Sequence, residues 1–416
     1  MSKVKVKKKS VGLLIILILL IIGIIFYFKK DIKVDLKDIT TKKEEIKEIS
    51  DFKGMKLDEV KEYVDSKKIE LNTSYDYDDS IPKDEVIESN LNDNKLDIKV
   101  SLGSLPLDTF KEKKVNELGN VPIMMYHGIV NTTTNKYTGG NVDKDGYNRT
   151  SGAFYKDLEF YYEKGYRMIR LQDYVDGKIN VELGYSPIIL TFDDGNENNF
   201  KVIKKNEDGS LEFDPESAIG VLERIKKKYP DMGVTATFFL NGALCNQKEY
   251  NEDIMKWLVD NGYDVGNHTI SHVDFTKVGI EKTKYEVGAL YQKLESIIPG
   301  KYVKIIALPF GSPYKKSHSN YPYIIDGEYE GVTYHTVAGL RVGWEAEVSP
   351  FNKKFDKTFL KRIRAYDNNG KEFDIEMNFK LLEKNRYISD GNSNMITIPE
   401  SSISNLIETD KKVVKY

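Results

Sequence analysis

Ser186-Pro187-Ile188-Ile189-Leu190-Thr191-Phe192-Asp193-Asp194-Gly195 is the stretch on which the reading of this chain turns. Its apolar run is strand-like, and two adjacent carboxylates stand directly at the run's C-terminal end. In βα barrels the catalytic groups come from that end of the strands. An isolated Asp-Gly reads as a turn signal. This one is accompanied by a second constellation, Asn267-His268-Thr269-Ile270-Ser271-His272, after another short apolar run, Tyr263 to Val265. Two imidazoles four residues apart, together with a carboxylate at the corresponding end of another strand, are the donor set of an open zinc-type site. The absence of a Glu after His268 excludes the His-Glu-x-x-His metalloprotease pattern.

Outward from these motifs, further strand-like runs fall at Val121 to Met125, Val234 to Leu240 and Tyr302 to Leu308, with helix-period segments between them. From Glu281 to Ile298, for example, Val287, Leu290, Leu294, Ile297 and Ile298 recur at helical spacing and Gly300 follows as a stop, a stripe that suits core packing. Alternation of the two periods predicts an α/β fold of repeated βα units. A bound ion held by one carboxylate and two imidazoles lowers the pKa of a water and polarises a carbonyl, which is hydrolytic chemistry. The two aspartates then divide the work, one as ligand and one for the proton.

Composition narrows the partners. Lys+Arg 62 against Asp+Glu 65 leaves a net charge of -3, with no electrostatic footprint for nucleic acid. The single cysteine, Cys245, cannot pair within the chain and is expected to be buried. At the N-terminus, Lys3, Lys5, Lys7, Lys8 and Lys9 precede an uncharged run from Val11 to Phe28, and Lys29 and Lys30 follow it. A signal peptide has a shorter apolar region and ends in small residues, whereas this run ends Ile25-Phe26-Tyr27-Phe28. Residues 1–10 are therefore expected in the cytoplasm, 11–28 as a transmembrane anchor, 29–49 as a solvated linker, and the remainder outside the cell membrane.

Residues 50–103 read as a small α+β module. Leu57, Val60 and Val64 share one face of a short helix, two strand-like runs follow at Ile69 to Tyr77 and Leu96 to Leu102, and Ser80-Ile81-Pro82-Lys83 marks a turn. With its Gly54-Met55 opening, its Ile81-Pro82-Lys83-Asp84-Glu85-Val86-Ile87 stretch and its Val100-Ser101-Leu102-Gly103 close, this segment resembles a PASTA domain. A generic small spacer is the alternative reading. The PASTA resemblance implies proximity to the cell wall and no chemistry. Residues 104–118 read as a polar linker.

Residues 119–370 resemble the polysaccharide deacetylase, or NodB homology, domain of carbohydrate esterase family 4. Besides the Asp-Asp and His-x-x-x-His motifs, the likeness rests on Val121-Pro122-Ile123-Met124-Met125-Tyr126-His127, Ala236-Thr237-Phe238-Phe239, Gly266-Asn267-His268-Thr269 and Ala307-Leu308-Pro309-Phe310-Gly311, in that order. The resemblance implies a distorted (β/α) barrel and removal of N-acetyl groups from an N-acetylglucosamine-type polymer of the cell wall, peptidoglycan before a secreted poly-N-acetylglucosamine. It implies Asp193 as general base and Asp194, His268 and His272 as ligands of a divalent ion, with zinc first among several possible metals. It also implies an oxyanion donor at the Phe310 N–H, shaped by Pro309 and Gly311.

Two departures bear on activity. Where many relatives begin the third motif with an arginine that orients the base, this chain has Ala307, so the partner of Asp193 is absent or elsewhere. The Leu-x-His that closes the family pattern is missing, since no histidine follows His335. His127 is the leading substitute as general acid, with a structural or substrate-lining role as the alternative. His335 is expected to pack in a strand, His318 to lie in a solvated loop, and Trp344 either to line the groove or to fill the core. If both losses are real, the chain is a catalytically impaired glycan-binding wall protein. The extension 371–416 offers a strand-like Ile396 to Pro399 and no functional reading.

Overall fold

The computed structural model of the chain describes residues 51–92, 94–131 and 147–416. The expected cytoplasmic tail, anchor and linker up to residue 49 lie outside the described residues. Among the described residues no helix is long and apolar enough to cross a membrane. Two compact units emerge, one ending at Leu105 and one running from Pro106 to Tyr416.

In the first unit a helix over Leu57–Lys67 buries Leu57, Val60, Tyr63 and Val64, as its spacing predicts, and closes on Lys68 in the left-handed region at φ 58°. Three strands follow. Glu70–Asp76 pairs in parallel with Lys95–Ser101, and Val86–Asn92 pairs antiparallel with that central strand. Leu96, Ile98 and Val100 alternate onto the face that meets the helix and Phe52. The strand Val86–Asn92 was not among the expected runs. Beyond Val86 its side chains are at best half-buried, so it carries no apolar run to announce it.

The second unit is built on eight parallel strands: β1 (Ile123–Tyr126), β2 (Tyr166–Met168), β3 (Ser186–Phe192), β4 (Thr237–Leu240), β5 (Asp264–Asn267), β6 (Ile305–Ala307), β7 (Ala338–Leu340) and β8 (Ile363–Arg364). Their order across the sheet is β7-β6-β5-β4-β3-β1-β8, and β2 pairs with the start of β3. Every one of these pairings is parallel. The segment leading into β8 ties the two edges together. Leu360 bridges to Leu340 of β7, and three residues later Ile363 and Arg364 pair with Met124 and Met125 of β1. The sheet thus curls around an interior, giving the distorted barrel that the sequence predicts.

Alternation along each strand sorts its side chains into two sets. Ile123, Ile189, Phe239, Ile305, Ala307, Ala338, Leu340 and Leu360 meet in one apolar layer. Their neighbours Met124, Leu190, Phe192, Phe238, Val265, Ile306 and Ile363 pack against the surrounding helices. Those helices are α1 (Ser151–Glu163), α2 (Ala218–Lys228), α3 (Asn251–Asp260), α4 (Ile280–Ile297) and α5 (Ile375–Leu382). The stripe on α4 is core as expected, with Val287, Leu290 and Leu294 fully buried, each contributing roughly 1.5–3 kcal/mol relative to an exposed side chain. Hydroxyl caps start α1 and α2, Thr150 accepting from the Ala153 N–H and Ser217 from the Gly220 N–H. Residues 371–416 pack on the same body. In α5, Phe379 stacks on Tyr161, and Met395–Ile398 pairs with Lys412–Lys415.

Candidate active site

The period of two that fills the barrel also delivers its chemistry. Ile123 and Met125 lead inward to His127, Ile189 and Thr191 lead to Asp193, and Leu360 leads to Arg362 and Arg364. At the C-terminal mouth a cavity of about 180 Å³ is lined by Met125, His127, Tyr147, Asp193, Asp194, His268, His272, Leu308, Phe310, Val342 and Arg364. A larger groove of about 870 Å³, between α1 and α5, holds none of these residues. Four non-glycine residues around the cavity have left-handed backbone: Asp194 (φ 74°), Thr269 (φ 65°), His272 (φ 53°) and Phe310 (φ 58°). Such conformations cost about 1–3 kcal/mol each and gather at functional sites. Gly195, at φ 66°, is required by its turn, because a Cβ there would overlap the Leu244 carbonyl oxygen.

Asp194, His268 and His272 converge. Oδ1 of Asp194 lies 3.2 Å from Nε2 of His268 and 3.3 Å from Nε2 of His272. On the other side of the His268 ring, Nδ1 sits 2.8 Å from the Ala307 carbonyl oxygen, an acceptor only, so Nδ1 carries the proton and donates it. Nε2 then presents a lone pair, and this buried atom makes no hydrogen bond. A lone pair aimed at a carboxylate oxygen is repulsive unless a proton or a cation lies between them. Metal bonds of about 2.0–2.1 Å in tetrahedral array place donor atoms about 3.3 Å apart, so the donor chemistry and the spacing both fit a divalent ion. Burial alone would raise the Asp194 carboxyl, but His268 first, then His127 and His272, hold it well below the usual carboxylate range. His268 is pushed down by burial and lifted further by Asp193 and Asp194, while burial and the neighbouring His268 lower His272.

Asp193 has a different environment. Both of its oxygens are held by one guanidinium, Arg362 Nη1 to Oδ1 at 2.8 Å and Nη2 to Oδ2 at 2.7 Å. Arg362 is 0% exposed and Asp193 2%. The fork is oriented in turn, since Nε donates to the Arg341 carbonyl and Nη1 also reaches the Thr191 hydroxyl. Burial pushes the Asp193 carboxyl up, and Arg362, His268 and His127 overcome it, leaving the group below its ordinary range. Arg362 is thus the partner expected at the position of Ala307; Ala307 instead supplies the carbonyl that fixes His268. The one sequence signal for it is the alternation Leu360-Lys361-Arg362-Ile363-Arg364, with two arginines on the inward parity of an apolar strand.

His127 is buried, its Nε2 3.9 Å from Asp193 Oδ2 and its ring against Tyr147. Burial lowers its pKa, against the pull of Asp193 and Asp194. Phe310 is exposed and packs edge-on against His272, with Pro309 and Gly311 buried on either side. His318, half-buried, accepts from the Asn320 N–H in its loop. His335 departs from expectation: it lies in a strand, Val332–His335, yet is exposed and bonded to Asp326, because that two-stranded hairpin leaves this end uncovered. Trp344 is 49% exposed beside the cavity and not in the core. Cys245 is buried, and burial raises its thiol pKa.

Residues 181–321 match the family model of polysaccharide deacetylases. The matched segment contains Asp193, Asp194, His268, His272 and the Pro309–Gly311 turn, and ends before Arg362. The matched segment is thus similar to a polysaccharide deacetylase domain, and the three donors within it could hold a metal ion. An uncharacterized 30.6 kDa protein from the fumA 3′ region of Geobacillus stearothermophilus is 31% identical over 110 residues, 26% of this chain and 32% of that protein. Peptidoglycan-N-acetylglucosamine deacetylase of Bacillus cereus is 29% identical over 124 residues, 30% of this chain and 36% of its own. The chain thus spans about a third of the length of these relatives. Among solved structures, the deacetylase PplD of Streptococcus pyogenes in complex with acetate aligns over 62% of this chain and 97% of its own, at 19% identity and a TM-score of 0.44.

Proposed function

We propose that the second unit hydrolyses N-acetyl groups from an amino-sugar polymer of the cell wall, most naturally peptidoglycan. The observation that carries this is the juxtaposition of a three-donor cation site with a buried carboxylate kept ionised by a bidentate guanidinium. Asp194, His268 and His272 would hold the ion, with zinc the first choice for the donor set; when bound it supplies the positive charge that acidifies a water and polarises the amide carbonyl. Asp193 receives the proton of the attacking water. Arg362 is a positioning residue that keeps Asp193 charged and fixes its direction. His127 faces Asp193 across the cavity and is the proton donor to the leaving amine. Because burial suppresses its charge, the proton it delivers is one it gains in the substrate complex. The Phe310 N–H, in the turn shaped by Pro309 and Gly311, is assigned to the carbonyl oxygen as negative charge develops there.

The rival reading, an impaired glycan-binding protein, rested on a missing arginine and a missing histidine. Arg362 and His127 supply both groups from other strands, which favours the enzyme. The rest of the reading is contextual: a deacetylase domain over 119–370, a PASTA-like module over 50–103, and a single anchor at 11–28 that holds both outside the membrane. The peptidoglycan choice draws on the named activity of the Bacillus cereus relative and on the PASTA-like module; a secreted poly-N-acetylglucosamine is the alternative polymer.

The test is acetate release by the full chain in detergent, from N-acetylated peptidoglycan and separately from N-acetylglucosamine oligomers, with zinc, with chelator and with Asp193→Asn. Metal-dependent release that is lost in Asp193→Asn is expected. Binding of glycan and metal without release from either polymer would replace the enzyme with the binding protein.

A further inference from the structure

Arg364 has no role in the chemistry above, yet it lines the same cavity. Two residues beyond Arg362 on one strand, it points to the same interior but one step nearer the mouth, and is half-buried where Arg362 is fully buried. Its guanidinium lies over the Trp344 ring, 4.2 Å from the centroid. That stacking is its only interaction: among the described residues no acceptor or carboxylate engages it, and its Nε is buried without a hydrogen bond. Other arginines are committed to carboxylates, Arg149 to Asp157, Arg167 to Asp231, Arg170 to Asp264 and Arg362 to Asp193. Arg341 also has an unpartnered Nε, but it packs on Phe359 and does not line the cavity.

A guanidinium held over an indole face leaves its N–H groups able to meet an acceptor. Buried donors without acceptors are uncommon and each asks for an explanation. The local charges give none within the protein: Asp193 is neutralised by Arg362, Asp194 faces the two imidazoles, and Glu345 pairs with Lys361. The planar fork of an arginine fits a carboxylate or a phosphate with two parallel hydrogen bonds. The cavity, about 180 Å³, has the volume of about six waters, several times an acetyl group and on the scale of one sugar ring, so an anion reaching Arg364 sits on the same sugar ring or the linkage beside it.

We infer that Arg364, seated on Trp344, is an oxyanion subsite, and that the sugar this pocket accepts carries a carboxylate or phosphate substituent next to its N-acetyl group. The sugar named here rests on the deacetylase reading of the pocket; the anion preference itself does not.

The test measures binding with no turnover. The full chain in detergent, with chelator present, is titrated with three tetrasaccharides while tryptophan fluorescence is followed: neutral N-acetylglucosamine, one bearing the lactyl carboxylate of N-acetylmuramic acid, and one bearing a phosphate ester. At low salt one anionic form is expected to bind about tenfold more tightly than the neutral one, the scale of a hydrogen bond to a charged group. Which of the two binds better identifies the oxyanion. In Arg364→Gln the ratio falls to near one, and in Arg364→Lys, which keeps the charge and loses the fork, it is intermediate. Equal affinities for all three in the wild type, or a preference that survives in Arg364→Gln, would overturn the subsite. Because chelated protein is used, failure of acetate release would sink the hydrolase and leave this result standing, and the reverse also holds.

Discussion

Replacing Arg362 by Met removes one partner of a fully buried ion pair and leaves the other in place. The pair is bidentate, at 2.8 and 2.7 Å, with essentially no water near either member. Removing one side of such a pair costs about 3–5 kcal/mol. At roughly 2–4 °C of Tm per kcal/mol, that is a drop of roughly 6–20 °C at neutral pH. The chemical consequence is separable from the stability loss. In the wild type burial pushes the Asp193 carboxyl up and Arg362 more than offsets it, so the folded pKa lies below the unfolded one. The stabilisation and the ionised base are therefore present above the ordinary carboxylate pKa, about 3.9, and are lost only as pH falls through the lower folded value. Without Arg362 the burial cost stands, and Asp193 retains a proton to higher pH. The assay is the pH dependence of kcat/KM for acetate release: the acid limb should move upward in Arg362→Met, with activity recovering as pH rises, and Arg362→Lys should fall between. A folded Arg362→Met protein whose acid limb coincides with that of the wild type would refute the assignment, because a purely structural arginine could lower Tm but would leave the limb in place.

Two further outcomes follow from the same geometry. Chelation should lower Tm by removing the ion that binds only the folded site, excess zinc should restore it, and His268→Ala should abolish the response; a Tm indifferent to chelator in the purified protein would contradict the donor set. At the opposite end of the barrel, Glu117 is fully buried, accepting from the Thr397 N–H, the Tyr387 hydroxyl and the Asp390 N–H. Burial first, and then the charge of Asp390, raise its carboxyl well above the usual range. Its stabilisation is thus complete below the unfolded pKa and is lost as pH rises through the folded one. Thermal melts of the wild type should show Tm falling over that window, with a flatter profile in Glu117→Gln; equal slopes would refute the shift.

How much of this was legible in the sequence depended on range. The strand Ser186–Phe192 and the ligands after it were readable because chemistry and local pattern coincide within ten residues. The helix Leu57–Lys67 and α4 were readable because their apolar residues recur at helical spacing. Arg362 was not, since it meets Asp193 across 169 residues and sits at the head of a two-residue strand flanked by charge. Nothing local distinguishes Lys361-Arg362-Ile363-Arg364 from a solvated edge. Only closure of the barrel, which puts Leu360 against β7 and Ile363 against β1, turns alternate residues of that segment inward. For the same reason the exposure of His335 is not legible in the sequence: a strand pattern says which residues share a face and is silent on what covers it.

That closure makes the last strand more than a seam. Leu360 fills the apolar layer, Arg362 holds Asp193, and Arg364 lies over Trp344 and lines the mouth, three successive inward positions of one segment. The cation donors and Asp193 all precede β8 in chain order, yet the guanidinium that does most to hold the Asp193 carboxyl down comes from the residue just before β8. The arrangement of the site is therefore coupled to formation of the β1–β8 pairing: a chain cut after β7 retains the three cation donors and loses the guanidinium that directs Asp193. Metal affinity and acetate release should part company in such a truncated chain.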